Sequence, residues 1–231
     1  LLHQAPVSAR QYEPVYPRLA ARGIRAIGVD MPGFGCSDPT PFVPGVEDYA
    51  KAIPAVLDAL GIAKANILGH HTGALVATEV ALQFPERIDR LVLNGPLPLQ
   101  DAERAQWLEF CRTEEIPFRE QADGSHLVKL FNVRYAFARD SVPVGTVTRY
   151  IVETLSGLGP YWYGHHAAFV YDHAKSLALI RHRTLILTNT GDQIYEHAKL
   201  TRSMRPDFEF IALEGGGIDV VDQLPDAWTE A

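Results

Sequence analysis

The chain has 231 residues, enough for one sizeable core, and 47% hydrophobic with 21% charged residues is an ordinary globular composition. A formal charge of −7 with no Lys/Arg cluster argues against a nucleic-acid partner, and no apolar run approaches the roughly 20 residues of a membrane helix. Cys36 and Cys111 are the two cysteines and fit a reducing compartment, so the expected location is the cytoplasm. There is no initiator Met, and the chain starts inside an apolar pair, Leu1-Leu2; it is expected to be a piece of a longer protein.

Taken in order, Leu1 to Gln4 reads as the end of a buried strand, followed by a loop at Ala5-Pro6. Tyr12, Val15, Tyr16 and Leu19 fall at helical spacing, and Gly23 closes that stretch. Ile24 to Val29 is a short apolar strand running into the turn-dense loop Asp30 to Asp38. Val46 to Leu60 predicts a helix kinked at Pro54. Ala65 to Leu68 is the next strand, Ala74 to Leu82 the next helix, and Arg90 to Asn94 another strand. Alternating strand and helix predicts a parallel sheet covered on both faces. From about Gln100 to Ile180 only helical patterns occur, with an aromatic patch at Tyr161-Trp162-Tyr163. Thr184 to Thr188 and Phe208 to Leu213 then resume the sheet. Three parts follow: a core over 1–99, a helical block over 100–180 at the sheet edge where ligands bind, and a second piece of core over 181–231.

The stretch Gly69-His70-His71-Thr72-Gly73 stands between a strand and a helix. Two glycines flanking a central residue at that junction define a sharp turn that pushes the middle side chain out at the top of a sheet. The projecting residue is His71, where such turns carry Ser, Cys or Asp.

These features in this order resemble the α/β-hydrolase superfamily, in its branch of small bacterial enzymes with a helical cap between the sixth and seventh strands. The resemblance rests on Leu1-Leu2-His3, on Val29 to Asp38, on the elbow, on Phe84-Pro85-Glu86-Arg87-Ile88, on Gly191-Asp192 and on Asp222-Gln223-Leu224-Pro225. It covers essentially the whole chain and implies that two preceding strands and part of the last helix lie outside it. It implies a mostly parallel sheet whose strand order reverses near the elbow strand. It also implies an acid at Asp192 and oxyanion donors in the N–H groups of Ala5 and Thr72. Two positions depart from the family. The nucleophile position is His71, and Ile218 stands where the catalytic histidine is expected. The first loop reads His3-Gln4 where the family usually has His-Gly, while His70 occupies a position that packs beneath the turn.

Three functions follow from a histidine on the elbow. His71 could serve as general base or nucleophile in a hydrolase acting on an ester-type or related bond of a small organic molecule, with Asp192 as its acid partner. The scaffold could instead be a catalytically degenerate small-molecule-binding protein. A lyase or isomerase needing only proton transfer would use the same base. His3, Gln4, Tyr161, Trp162, His165, His166 and Ile218 are the candidates for lining the pocket. No cofactor is expected, and His3, His70, His71, His165 and His166 are not at a metal-ligand spacing. The expected partner is a small-molecule substrate or ligand, with no nucleic acid and no membrane; oligomeric state is not legible.

Overall fold

Short apolar runs bounded by glycine or proline form the sheet. The computed structural model describes residues 1–138 and 141–231. It places four parallel strands side by side in chain order: β1 (Ala65–His70), β2 (Ile88–Asn94), β3 (Arg183–Asn189) and β4 (Glu209–Leu213). Leu2 continues the sheet past β1, bridging Gly69 on one side and Val29 on the other, both in parallel sense. The segment at Leu2 therefore lies between the 24–29 segment and β1, so strand order reverses beside the elbow strand. The strands expected at Leu1-Leu2 and Ile24 to Val29 are reduced to these single bridges. Between them run only the Val29 N–H to Leu1 carbonyl bond and, from the Leu1 amine, one bond to Ile27.

The helices of the first part are α1 (Tyr16–Ala21), α2 (Val46–Ala59) and α3 (Thr72–Gln83). Between β2 and β3 come α4 (Asp101–Phe110), α5 (Ser125–Ala138), α6 (Val144–Ser156), α7 (Tyr163–Val170) and α8 (His173–Leu177), with a π-helical turn at Cys111–Glu115 and no strand among the described residues. Residues 139–140, which the expected helical block includes, lie outside the described residues. After β3 come α9 (Tyr195–Met204), α10 (Val220–Gln223) and α11 (Pro225–Glu230). Pro54 sits inside α2 without ending it.

The period-2 alternation of the strands divides the core. Ile67, Leu91, Leu93 and Ile186 face one cluster with α2 and α3, while Leu68, Val92 and Leu187 face a second with Tyr12, Leu19, Val220 and Trp228. α3 is apolar on nearly every side because it is buried from Thr72 to Thr78 and again at Val80 and Ala81. That burial fixes the helix whose first turn underlies the elbow. Among the described residues, no helix is long and apolar enough to cross a membrane.

Candidate active site

β1 ends at His70 and α3 begins at Thr72, so His71 alone makes the turn. Its backbone adopts φ 48°, ψ −112°, and it is the one non-glycine residue with positive φ among the described residues. Such a conformation costs on the order of 1–3 kcal/mol and persists only where the surroundings over-determine it. They do so here. The His71 N–H donates to the Asn94 carbonyl at 2.8 Å, and its carbonyl accepts from the Ala74 N–H at 2.7 Å. The glycines supply clearance: a β-carbon on Gly69 would overlap the Gly73 carbonyl, and one on Gly73 would overlap the Leu2 carbonyl.

The side chain of His71 points at the loop after β3. Its Nε2 lies 2.7 Å from Asp192 Oδ2, and the aspartate side chain is fully buried. Asp192 Oδ1 accepts from the Ile194 N–H at 3.1 Å. Burial pushes the Asp192 carboxyl up, but the charge and hydrogen bond of His71 outweigh it and hold the carboxyl below its ordinary range. The carboxylate accepts, so Nε2 carries the proton and Nδ1 is the nitrogen left over. Nδ1 makes no hydrogen bond to any described residue. Space for this ring comes from Gly95, which the sequence did not single out. A β-carbon there would come within 2.5 Å of His71 Cδ2 and 2.9 Å of Nε2.

His70 packs edge-on against His71 with ring centroids 4.4 Å apart. It is buried, and burial followed by the charge of His71 pushes its pKa well below the usual histidine value. Its tautomer can be read from its neighbours. The Gln4 N–H donates to Gln11 Oε1 at 3.1 Å, which turns Gln11 Nε2 toward His70 Nδ1 at 3.3 Å. An amide NH₂ can only donate, so Nδ1 accepts and Nε2 holds the proton. His70, His71 and Asp192 are the described residues that could gather around a metal, their donor atoms lying within 4.8 Å of one another.

Of the two expected oxyanion donors, neither the Thr72 N–H nor the Ala5 N–H donates to another described residue. Thr72 opens α3, where the helix dipole favours negative charge. The loop carrying Ala5 is held from below. His3 is fully buried, its Nε2 accepting from the Met31 N–H at 3.0 Å and its Nδ1 donating to the Gln4 carbonyl at 2.9 Å. Burial lowers its pKa to about 4, against the smaller opposing pull of the Gln4 bond. Both ring nitrogens are thus engaged inside the protein.

The other expected pocket residues separate into groups. Gln4 Nε2 donates to the Ile218 carbonyl at 3.3 Å, so the first loop touches the position where a histidine was expected. Ile218 shares a small void with Gln4, Gln11, His70 and Tyr150, and the next residue, Asp219, pairs with Arg134 of α5. His165 bonds to Glu115 and to the Ala5 carbonyl. Tyr161 packs on Phe118, while Trp162 packs on Tyr163 and His166; none of these joins His71 or Asp192. His197 pairs with Glu103. A groove of about 490 Å³ lies against Tyr16, Gly28, Val29 and Asp30 and includes none of the elbow residues.

Comparison with known proteins identifies the family and the fold. The chain is 37% identical over 99 residues to a 2-hydroxy-6-oxononadienedioate/2-hydroxy-6-oxononatrienedioate hydrolase of Paraburkholderia phymatum, covering 41% of this chain and 34% of that protein. It is 39% identical over 91 residues to a 2-hydroxy-6-oxo-6-phenylhexa-2,4-dienoate hydrolase of Burkholderia cepacia, covering 37% and 30%. The matched stretch spans about a third of the length of these curated relatives. A solved hydrolase from Pseudomonas aeruginosa superposes with a TM-score of 0.82 at 21% identity, over 99% of this chain and 85% of that one, a likeness of fold. The family model for the alpha/beta hydrolase fold matches residues 1–203. With most of its length matched, the chain belongs to the α/β-hydrolase family.

Proposed function

We propose that this protein is a capped hydrolase of small organic molecules in which His71 is the base and Asp192 its orienting acid. The observation that carries the reading is the 2.7 Å contact between His71 Nε2 and Asp192 Oδ2 at a strained elbow. In a Ser-His-Asp triad the carboxylate holds one imidazole nitrogen and the other takes the proton of the serine. Here the elbow residue is the imidazole itself. Asp192 holds Nε2–H, so Nδ1 takes a proton from water as the water attacks a carbonyl carbon. The developing oxyanion accepts from the N–H groups of Ala5 and Thr72. Collapse expels the leaving group, which takes the proton back from Nδ1. In a variant of this route Nδ1 attacks the carbonyl directly, collapse expels the leaving group, and water then hydrolyses the labile acyl-imidazole to release the acid and free Nδ1. The relatives named for hydrolysing hydroxy-oxo-dienoates support a carbonyl-bearing substrate. The helices of 100–180 form the cap in this reading, and the parts 1–99 and 181–231 form the core.

One observation favours a second reading. Ile218 stands at the family's histidine position, and its carbonyl is engaged by Gln4, which suits a scaffold that binds a small molecule without turning it over. A lyase or isomerase would use the same Nδ1 and is separated by exchange of a substrate C–H with deuterated solvent. The deciding experiment is a panel of activated esters, lactones and epoxides assayed on the wild type and His71→Ala. Loss of a general base lowers turnover on the order of 10²–10⁴-fold. Equal rates on every substrate reject His71 catalysis and leave the binding reading.

A further inference from the structure

His165, on α7, sits between two groups that can only accept hydrogen bonds. Its Nδ1 lies 2.7 Å from Glu115 Oε1, and its Nε2 lies 3.2 Å from the Ala5 carbonyl oxygen. A neutral imidazole has a single N–H, so it would satisfy one of these and set a lone pair against the other. Only the doubly protonated ring donates to both. Glu115 is 7% exposed, and its second oxygen accepts from the Cys111 thiol at 3.2 Å. Phe169 stacks on the imidazole at 5.7 Å, and α7 rides directly on the loop: a β-carbon on Gly164 would come within 2.5 Å of Ala5 Cβ.

The two carbonyls flanking the Ala5 α-carbon are therefore both tied to histidines. His3 holds the Gln4 carbonyl, which shares a peptide plane with the Ala5 N–H, and His165 holds the Ala5 carbonyl in the next plane. With both planes pinned, the direction of the Ala5 N–H is set. We propose that His165 is a positioning residue: an imidazolium, charged through Glu115, that clamps the Ala5 carbonyl from the helical segment and so fixes the Ala5 N–H as an oxyanion donor. This rests on the assignment of Ala5 as a donor made above. Burial opposes the charged ring, but the charge and hydrogen bond of Glu115 outweigh it, and the pKa ends above the ordinary histidine value. Cys111 and Tyr161 are the other titratable groups of this cluster, with Glu114 acting on Tyr161.

The test follows His165 and the Ala5 amide together by NMR of selectively ¹⁵N-labelled protein across pH. In the wild type His165 titrates with its midpoint above the ordinary histidine value of about 6.5, and the Ala5 amide resonance moves with that midpoint. Glu115→Gln replaces the carboxylate by an amide that can donate to Nδ1, so a neutral His165 still donates to Ala5. The His165 midpoint then falls by about one unit or more, and the Ala5 amide no longer follows it. A His165 midpoint at or below about 6.5, or an Ala5 amide indifferent to its titration, overturns the proposal whether or not any substrate is turned over. Where the panel gives turnover, His165→Gln lowers kcat about 10-fold or more with KM nearly unchanged. Equal kcat in His165→Gln and wild type rejects the positioning role. An inactive wild type with the NMR behaviour intact rejects the catalytic reading and leaves the clamp standing.

Discussion

Two histidine–carboxylate pairs of the same length, 2.7 Å, are completed differently in this molecule. At the elbow, Asp192 engages one nitrogen of His71 and the other nitrogen has no partner among the described residues. In the helical segment, Glu115 engages one nitrogen of His165 and the Ala5 carbonyl takes the other. The first ring has one nitrogen engaged; the second has both. What separates a candidate catalyst from a clamp is therefore the fate of the second nitrogen, not the presence of a carboxylate.

The contrast breaks hardest at Asp192. In Asp192→Asn one of the two side-chain atoms becomes a donor, so either the Ile194 N–H or the His71 Nε2–H meets another donor. The His71 tautomer that presents Nδ1 is then disfavoured, and kcat on any panel substrate should fall about 10²–10⁴-fold. A rate within threefold of wild type in steady-state assays would remove Asp192 from the mechanism.

A second test uses the histidines that are neutral by burial. His3, with a pKa near 4, His173, with a pKa near 3, and His70 all take up protons more readily when unfolded. Their folded pKa values lie below the unfolded value of about 6.5, so stability is lost as pH falls from about 6.5 toward 4. For His3 alone the gap of 6.5 to about 4 corresponds to about 3 kcal/mol. His165 opposes this, since its raised pKa gives stability that is present at low pH and lost as pH rises through its folded value. His166 is lowered by burial as well, so four depressed histidines outweigh one raised histidine. Urea unfolding at stepped pH should show the loss, and a flat profile between pH 6.5 and 4 would contradict the buried neutral assignments.

Gly95→Ala sharpens the geometry of the elbow. The added carbon enters the volume of the His71 ring at a position whose φ is 71°. The expected result is a loss of more than about 1 kcal/mol in stability, together with lower kcat as the ring leaves Asp192. Unchanged kcat at reduced stability would detach ring placement from turnover. The smallest effect isolates backbone strain. His71→Gly and His71→Ala both remove the contact to Asp192 and differ in tolerance of positive φ. The glycine variant should be more stable by about 1 kcal/mol in a thermal melt analysed at a common temperature.

The elbow was legible because two glycines at fixed spacing leave one residue to project, and that arithmetic is local. The helical character between β2 and β3 was equally legible from periodicity. The register of the sheet was not, since Leu2 reaches Gly69 and Val29 through contacts that no local pattern encodes. His165 read as a pocket residue because its neighbours in sequence are aromatic, whereas its partner Glu115 lies 50 residues away. His3 failed for the same reason: the Met31 N–H that occupies its Nε2 belongs to another loop. Gly95 carried no signal, because a glycine that spares room for a ring looks like any turn glycine.

The pairing of β2 with β3 has a kinetic consequence. β1 meets β2 at Ala65 and Ile88, but β2 meets β3 at Arg90 and Arg183, with the whole helical segment looped out between them. Closing a loop about four times longer costs about 1.2 kcal/mol more in chain entropy. Such distant parallel pairing slows assembly. The unit β1–α3–β2 can form from near neighbours, carrying His71 on it, while Asp192 waits on the far side of the seam. A renatured chain thus acquires its elbow early and its carboxylate partner late, and any catalytic signal that returns on dilution from denaturant reports the closing of that seam.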